Sequence, residues 1–325
     1  MEKINIAIIG LGHVFDYQIR ALYSINELNL VAVSDIDINK KNKISKNIKF
    51  YKNYKEMILN EKIDVVLISV PNKLHFEVAK YCLENNLNIL LEKPATLKIE
   101  DFQKLINVSK QKNLVFVVAF HAMFAKDLIW FFDYYKSFKE KTGKIISFYC
   151  GFFDPYIVNN KLKEGANSLL GSWIDSGINA LSVISKLIDY KSLSIKESKL
   201  SYISNINPYG EVQGSVMLNF DSYYEGIIDT NWTLNLNCKK THLRFENQKI
   251  EIVLNHSKQN VVKIENGKKK ILASFGGERL VNHYIGVFKD YVVHYKNKTT
   301  NLDLAYKLHK ILLDAHSKNK VEGCY

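Results

Sequence analysis

Cysteine is scarce in this sequence, and the few that occur are far apart. The four are Cys82, Cys150, Cys238 and Cys324, and no two of them form a CxxC pair. Disulfide frameworks and zinc clusters both need clustered spacing. We therefore expect reduced thiols and a cytoplasmic protein. No group of His, Cys, Asp and Glu has ligand spacing, so we predict no metal site.

Arginine is also scarce, although the chain carries a formal net charge of +12. Of the 45 basic residues only Arg20, Arg244 and Arg279 are arginine, and lysine supplies the remaining 42. Proteins that read nucleic acid usually rely on arginine forks, and the lysines here are spread along the chain. The cluster at 268–270 follows Asn266-Gly267, as at the polar end of a β-hairpin. We therefore predict no nucleic-acid partner, and a basic nucleic-acid-binding module is the least favoured alternative.

Long hydrophobic runs are missing as well. None approaches the roughly 18 to 20 apolar residues of a membrane span, and the start, MEKINIAIIGLG, is typical of a first strand and not of a signal peptide. There is no proline-rich linker or low-complexity segment. Hydrophobic residues nevertheless make up 47% of the sequence, which is enough for buried cores. The length of 325 residues favours about two domains.

The first part of the chain alternates between apolar strands and amphipathic helices. Predicted strands are 3–9, the run LNLVAV ending at Ser34-Asp35, 63–70, 88–91 and 113–120, with helices over 13–25, 75–85 and 100–110. Such alternation predicts a parallel sheet with helical crossovers. We predict an α/β domain over residues 1–122.

The pattern changes in the second part, which we predict to be an α+β domain over residues 123–325. Strands alternating with period two and separated by short turns favour a large, mostly antiparallel open sheet. Predicted strands are 144–153, 200–206, 211–220, 224–234, 241–246, 249–255 and 260–273, with helices near 125–138, 177–188, 279–295 and 302–318.

A glycine-rich turn follows the first strand, in the order Gly10, Leu11, Gly12, His13, Val14, Phe15. The first glycine suits a tight turn, and the second lets a pyrophosphate approach backbone amides at a helix N-terminus. Phe15 replaces the usual third glycine. Asp35 ends the second strand, where a carboxylate accepts hydrogen bonds from ribose hydroxyls. The turn and Asp35 together predict that residues 1–122 form a Rossmann NAD(P)-binding domain. The alternative is a glycine-rich turn in a protein without a nucleotide.

The same residues bear on the choice of cofactor. Asp35 would repel a 2′-phosphate, which favours NAD. Asn39, Lys40 and Lys41 follow closely and could bind that phosphate. NAD is therefore preferred, with NADP kept open.

Three further motifs resemble the Gfo/Idh/MocA oxidoreductase family. They are Ser69-Val70-Pro71-Asn72-Lys73-Leu74-His75, Glu92-Lys93-Pro94 about twenty residues on, and a DxGxHxxD-like segment that begins at Asp175. The resemblance implies that Lys93 lies beside the nicotinamide and the substrate hydroxyl, with Pro94 a candidate cis proline. It also implies a homodimer or homotetramer. The expected cofactor-binding set is Gly10, Gly12, His13, Val14, Phe15, Asp35, Ser69, Pro71, Asn72, His75, Glu92, Lys93 and Pro94.

The third motif departs from the family pattern, because Asn179 stands where histidine is usual and Ser182 stands where aspartate is usual. Asparagine has no basic nitrogen and cannot accept a substrate proton. Two interpretations stay open. Either the protein is catalytically silent, or Lys93 or Asp175 takes the proton while Asn179 orients the sugar. The expected catalytic set is thus Lys93, Asp175 and Asn179.

The asparagine form, together with Phe120-His121-Ala122, resembles the aldose 1-dehydrogenase branch, which acts on galactose and arabinose. His121 is either a substrate residue or a core residue, and Trp173 either stacks on a sugar or packs in the core. Asp154 and Asn159 are the nearest candidates for the acid and the histidine that this branch carries in the 150s.

The predicted function is an NAD(P)-dependent oxidoreductase that moves hydride between a nicotinamide cofactor and a sugar hydroxyl, with C1 of an aldose favoured. One alternative is a family member that oxidises a nucleotide-sugar or inositol hydroxyl. Another is a silent NAD-binding regulatory protein.

Overall fold

The computed structural model describes residues 3–319, and Cys324 lies outside them. The described chain forms two compact units. The first contains the residues up to Phe120 together with Leu280–Tyr306, and the second contains His121–Arg279 and the residues from Lys307 on. The chain thus returns to the first unit after residue 279, a return for which the sequence pattern carries no signal. The predicted α/β plus α+β fold class is confirmed.

The first unit contains a six-stranded parallel sheet whose strand order is β3-β2-β1-β4-β5-β6. Strands β1, β4, β5 and β6 are buried almost throughout, as strands covered on both faces must be. The strands are β1 (Ile4–Ile9), β2 (Leu28–Ser34), β3 (Lys49–Tyr51), β4 (Val65–Ile68), β5 (Asn88–Glu92) and β6 (Phe116–Ala119).

Four helices connect these strands: α1 (Phe15–Leu22), α2 (Tyr54–Asn60), α3 (His75–Glu84) and α4 (Ile99–Gln111). In α1 the buried residues Phe15, Gln18, Ile19 and Leu22 form one stripe at helical spacing. The order 3-2-1-4-5-6 is that of doubly wound dinucleotide-binding sheets, in which the order of the strands reverses between β1 and β4. Ligands of such sheets bind beyond the carboxyl ends of the strands at this point.

The returning segment completes the first unit with α7 (Arg279–Asn297) and the start of α8 (Leu302–Ser317). Tyr284, Phe288 and Tyr291 of α7 are fully buried. Asn301 caps the open edge of β6, because its side chain accepts from the amide of Val118 and donates to the Val118 carbonyl, both at 2.9 Å.

The second unit contains an eight-stranded sheet with the order β10-β11-β12-β7-β13-β14-β15-β16. Its pairs are antiparallel except that β12 runs parallel to β7. The strands are β7 (Ile145–Phe153), β10 (Ser194–Ser201), β11 (Gln213–Phe220), β12 (Tyr224–Asn231), β13 (Cys238–Phe245), β14 (Ile250–Asn255), β15 (Asn260–Glu265) and β16 (Lys268–Ser274).

Besides the later part of α8, this unit contains a short hairpin, β8 (Ile157–Val158) and β9 (Lys161–Leu162), and two further helices. The helices are α5 (Lys126–Thr142) and α6 (Ile178–Leu187), and α6 is buried along most of its length. Asn266 and Gly267 form the turn between β15 and β16 with positive φ, so the polar hairpin end predicted there is confirmed. Among residues 3–319 no helix is long and apolar enough to cross a membrane.

Candidate functional site

The glycine-rich turn leaves β1 and meets the loop that follows β4. Gly10 has φ +94°, and a Cβ added there would lie 2.4 Å from the carbonyl oxygen of Ser69. Position 10 therefore needs glycine for its backbone conformation and for its packing. This contact brings together the carboxyl ends of β1 and β4, where the sheet order places a dinucleotide.

The surroundings of Gly12, unlike those of Gly10, are open. A Cβ built on Gly12 would have no heavy atom of the described residues within 4 Å. Open space therefore lies over the backbone just before α1, at the place where a pyrophosphate must approach amide groups. Phe15, which replaces the usual third glycine, is fully buried as the first residue of α1 and packs that helix onto the sheet. The exposed His13 and the half-buried Val14 complete the turn. These residues fit a bound dinucleotide.

Asp35 follows β2 and is held in place by three donors. Its carboxylate accepts from the amides of Leu11 at 2.8 Å and Asp37 at 2.9 Å, and from the ammonium of Lys40 at 3.0 Å. Burial raises the pKa of Asp35, but the two amides and Lys40 outweigh it and lower the pKa overall. The residue therefore stays a carboxylate near neutral pH. It joins the glycine turn to β2, and Lys40 offsets part of its charge.

His75 connects the two family motifs of the first unit. Its Nδ1 lies 2.7 Å from the Pro94 carbonyl oxygen and its Nε2 2.9 Å from that of Val70. Burial, opposed by the two carbonyls, lowers the pKa of His75 to about 4. The neutral ring donates to one carbonyl only. His75 therefore lies between the loops after β4 and β5 and holds them by one hydrogen bond, and its contact with the cofactor stays a prediction.

Glu92 ends β5 at the centre of a buried hydrogen-bond network. Its Oε1 accepts from Gln18 Nε2 at 2.9 Å and from the Tyr284 hydroxyl at 2.7 Å. Gln18 also donates to Ser69 Oγ at 3.3 Å, so the network reaches the loop after β4. Burial raises the pKa of Glu92, and the Tyr284 hydrogen bond and the charge of Lys93 oppose that rise. Glu92 therefore anchors the segment that carries Lys93.

Lys93 follows Glu92 directly at the carboxyl end of β5 and is 9% exposed. The peptide bond between Lys93 and Pro94 is cis, so the cis proline predicted from the sequence is confirmed. Pro71 precedes a short 3₁₀ turn over Asn72–Leu74, in which Asn72 is buried. The first unit thus gathers the predicted cofactor residues at the carboxyl ends of β1, β2, β4 and β5.

The second unit presents Asp175 and Asn179 where a π-helical turn, Trp173–Gly177, leads into α6. Both residues are 7% exposed. The Asn179 side chain donates to the backbone carbonyl of Asp175 at 3.1 Å. Asn179 Oδ1 is buried and finds no donor among the described residues. A buried acceptor without a donor is costly, and π-helical turns are frequent at functional sites.

Glu211, which the sequence analysis does not identify, anchors this π-helical turn. Its Oε1 accepts from the amide of Ile174 at 2.9 Å, and its carbonyl accepts from the amide of Ser172. A Cβ on Gly171 would lie 2.5 Å from the Glu211 carboxylate. The close contact between Gly171 and Glu211 therefore fixes the position of the π-helical turn that carries Asp175.

Asp154, beyond the end of β7, forms a buried ion pair with Lys239 of β13. The distance between Asp154 Oδ1 and Lys239 Nζ is 2.6 Å, and Ser176 Oγ donates to Asp154 Oδ2 at 2.9 Å. Burial raises the pKa of the Tyr156 hydroxyl, and the carboxylates of Asp175 and Asp154 raise it further. Asp154, Tyr156, Ser176 and Lys239 thus lie in one polar cluster with Asp175.

Two predicted substrate residues have structural explanations instead. Trp173 is fully buried, its indole N–H donates to the Leu312 carbonyl at 2.9 Å, and its ring packs against Gly177. It is a core residue, so sugar stacking by Trp173 is wrong. Asn159 is exposed and, with Asn160, has positive φ in the turn of the β8–β9 hairpin. That turn accounts for both asparagines.

His121 begins a 3₁₀ turn, His121–Phe124, that packs against α6, the helix carrying Asn179. The residue is half-buried. It therefore stays among the candidate substrate residues, together with Asp154.

Comparison with known proteins agrees with this geometry. Residues 4–120 match the model of the Gfo/Idh/MocA family, which is described as an oxidoreductase family with an NAD-binding Rossmann fold. The resemblance seen in the sequence motifs is therefore confirmed for the domain that carries the glycine turn, His75 and Lys93.

Curated relatives match only part of this chain. The chain is 30% identical over 131 residues to D-glucoside 3-dehydrogenase of Escherichia coli, which is 39% of this chain and 37% of that protein. The first three curated relatives are covered over only 34% to 38% of their own length.

Solved structures in contrast match the fold of the whole chain. A 3-ketoreductase from Actinomadura kijaniata, solved with TDP-benzene and NADP, superposes with a TM-score of 0.83 at 13% identity over 98% of both chains. D-galactose-1-dehydrogenase from Rhizobium etli superposes with a TM-score of 0.79 at 18% identity over 98% of this chain and 96% of that one. At these identities the likeness shows the fold.

Sequence reasoning missed Tyr284, Glu211 and Lys239. Tyr284 reads as an ordinary packing residue of an amphipathic helix, and nothing local connects it to Glu92. Lys239 did leave a signal, because it shares the period-two face of Thr241, Leu243 and Phe245, which are buried. A lysine at an inward strand position is a reason to look for a paired charge.

Proposed function

We propose that this protein is an NAD(P)-dependent oxidoreductase that oxidises a sugar hydroxyl, with C1 of an aldose as the favoured position. One observation carries the proposal. A buried lysine, Lys93, follows the end of β5 in a sheet that also provides an open dinucleotide turn at Gly12. Ligands of doubly wound sheets bind at this edge, and the neutral amine of a buried lysine there can accept a proton.

The nicotinamide, when bound, would accept the hydride. Lys93 accepts the hydroxyl proton in this proposal, and Asp175 assists it. Glu92, itself held by Tyr284 and Gln18, keeps the Lys93 segment in place. His75 holds the loop at Pro94.

Asn179 orients the sugar and does not act as the base. Its Oδ1 lacks a donor within residues 3–319, and a sugar hydroxyl would supply one. An anomeric hydroxyl is more acidic than the other hydroxyls of a sugar, so oxidation at C1 demands less of its base. The absence of the usual histidine therefore favours C1. The likeness in fold to D-galactose-1-dehydrogenase is consistent with this choice.

NAD is the favoured cofactor, because Asp35 carries a carboxylate that would repel a 2′-phosphate. Lys40 offsets part of that charge at 3.0 Å. The neighbour from Actinomadura kijaniata was solved with NADP. Both cofactors therefore belong in the test.

A substrate screen tests the proposal. Free aldoses, inositols and nucleotide sugars are incubated with NAD or NADP, and the reduced nicotinamide is followed by absorbance. Turnover of an aldose is expected. Lys93→Ala should remove most turnover and largely spare dinucleotide binding, and near-normal turnover in that variant would refute the role of Lys93.

A second candidate is a catalytically silent dinucleotide-binding regulator, favoured by the single fact that residue 179 has no basic nitrogen. It predicts dinucleotide binding without turnover of any member of the panel. A third is oxidation of a nucleotide-sugar or inositol hydroxyl, which the same panel separates from aldose oxidation. We also propose a homodimer or homotetramer, which gel filtration with light scattering would test.

A further inference from the structure

Lys239 occupies a strand position where an apolar residue is expected. In β13 residues 239, 241, 243 and 245 face the interior, while Lys240 and Arg244 are exposed. The side chain of Lys239 is only 8% exposed. A lysine is rarely buried to this extent unless its charge is paired. The pairing partner therefore indicates what the lysine does.

The ammonium group of Lys239 has three acceptors. They are Asp154 Oδ1 at 2.6 Å, Asn237 Oδ1 at 2.8 Å and the Phe153 carbonyl oxygen at 3.4 Å. An ammonium has three N–H donors. All three are thus engaged, and Lys239 has no donor left for an anionic ligand.

Asp154, in contrast, keeps acceptor capacity. Lys239 donates to its Oδ1 and Ser176 donates to its Oδ2. A carboxylate offers about four acceptor positions, so about two remain after these bonds from the described part of the chain. The Asp154 side chain is 14% exposed, more than that of Lys239. Two donors on opposite oxygens fix the plane of the carboxylate while part of it stays accessible.

Ser176 connects this carboxylate to the proposed catalytic segment, because it directly follows Asp175 in the π-helical turn. The cluster around Lys239 holds equal numbers of positive and negative groups. Burial lowers the pKa of Lys239, the charge of Asp154 opposes this, Arg279 lowers it further and Asp175 raises it. With two carboxylates and two cations, the cluster suits an uncharged ligand that donates hydrogen bonds, which is the chemistry of a polyhydroxylated sugar.

We propose that Lys239 is a positioning residue of the sugar site, which holds Asp154 so that its free acceptor positions receive hydroxyl groups of the substrate. The inference rests on the proposed function. It assigns the sugar contact to Asp154 and the orientation of that contact to Lys239, whose own ammonium does not touch the substrate.

The test compares Lys239→Met with Lys240→Met in the full-length protein, using the aldose that the wild type oxidises best. Both variants remove one positive charge from β13, but Lys240 is exposed. Lys239→Met should raise the KM for the sugar by about tenfold or more, the loss of about one hydrogen bond to substrate. The KM for the dinucleotide should stay unchanged. Lys240→Met should leave both values unchanged.

Two further variants distinguish the proposed role of Lys239 from that of a purely structural ion pair. Asp154→Asn with Lys239→Met replaces the buried charges by neutral groups, so its Tm should stay closer to that of the wild type than the Tm of Lys239→Met does. Its sugar KM should nevertheless stay raised. Lys239→Arg keeps a cation beside Asp154 and should recover part of the wild-type KM.

A sugar KM within twofold of the wild type in the double variant would overturn the inference and leave the proposed function standing. Failure of the wild type to oxidise any sugar would instead overturn the proposed function, and with it this inference.

Discussion

The hydroxyl of Tyr284 donates a hydrogen bond of 2.7 Å to Oε1 of Glu92, a residue 192 positions earlier in the chain. Both side chains are buried. The returning segment of the chain thus supplies a donor to the glutamate that precedes Lys93. Two consequences can be measured.

Tyr284→Phe should lower the free energy of unfolding by about 1 to 2 kcal/mol at pH 8, because it leaves a buried carboxyl oxygen with one donor fewer. The same loss should raise the pKa of Glu92 further above its usual value. A raised pKa makes the folded state hold a proton that the unfolded state has released. The destabilisation should therefore be smaller at pH 5 than at pH 8.

Urea unfolding at the two pH values measures this effect. Tyr295→Phe removes a hydroxyl from the same helix and serves as the control, with an expected change within about 0.5 kcal/mol. Equal stability of the two variants at pH 8 would contradict the importance of the Glu92 contact.

His75 should make stability depend on pH in the acidic range. Its pKa is lowered to about 4 in the folded state from an ordinary value of 6.5, so the unfolded state binds the extra proton first as the pH falls. Stability present above pH 6.5 should be lost progressively toward pH 4, by up to about 3 kcal/mol.

The His75→Gln variant should lack this part of the pH dependence. Measurements of Tm between pH 4 and 8 would show a shallower acid slope for that variant than for the wild type. The exposed His13 provides the control His13→Gln, whose slope should match the wild type. An unchanged slope in His75→Gln would show that the ring is not the titrating group.

Gly10 and Gly12 should respond differently to alanine. Gly10→Ala forces an L side chain to φ +94° and against the Ser69 carbonyl, so it should destabilise the protein by more than about 2 kcal/mol. Gly12→Ala meets no atom of residues 3–319 within 4 Å beyond its chain neighbours and should leave Tm nearly unchanged. It should weaken binding of NADH by about tenfold or more, because the methyl group occupies the pyrophosphate approach.

Thermal unfolding and NADH fluorescence titration measure the two effects on the same samples. If Gly12→Ala bound NADH as tightly as the wild type, the dinucleotide would not lie over this turn.

Lys40→Met should sharpen the choice between the two cofactors. Without its ammonium, the Asp35 carboxylate loses an opposite charge at 3.0 Å and repels a 2′-phosphate more strongly. The ratio of NADH to NADPH affinity should rise severalfold. Lys43→Met, a neighbouring and more exposed lysine that pairs with Asp16, is the control. A lower ratio in Lys40→Met would mean that the lysine does not act through Asp35.

Local sequence signals were sufficient for much of the first unit. Strands such as β1 and β5 are short apolar runs ended by glycine or by charge, so the predicted 3–9 and 88–91 lie within one or two residues of Ile4–Ile9 and Asn88–Glu92. The cis Lys93–Pro94 bond followed from the motif. The short β3 and α2 are not predicted from the sequence, because few of their residues are buried and they show no clear periodicity.

Pairing between residues far apart in the chain cannot be predicted from local sequence signals in the same way. Strand β10 was predicted at 200–206 but spans Ser194–Ser201, and β12 pairs in parallel with β7, although short turns favoured antiparallel neighbours. The partners of Glu92 and Asp154 lie 192 and 85 residues away. No local pattern specifies such partners, since tertiary packing decides which buried polar groups meet.

The two hydrogen bonds between Asn301 and Val118 have a practical consequence for dissecting this protein. A gene fragment that stops near codon 122 would encode every strand of the parallel sheet, yet it would expose unpaired backbone groups along the last of them. Unprotected strands of this kind recruit other chains. Such a fragment should accumulate as insoluble aggregates when expressed alone, and co-expression of a peptide that contains residues 280–306 should restore part of its solubility.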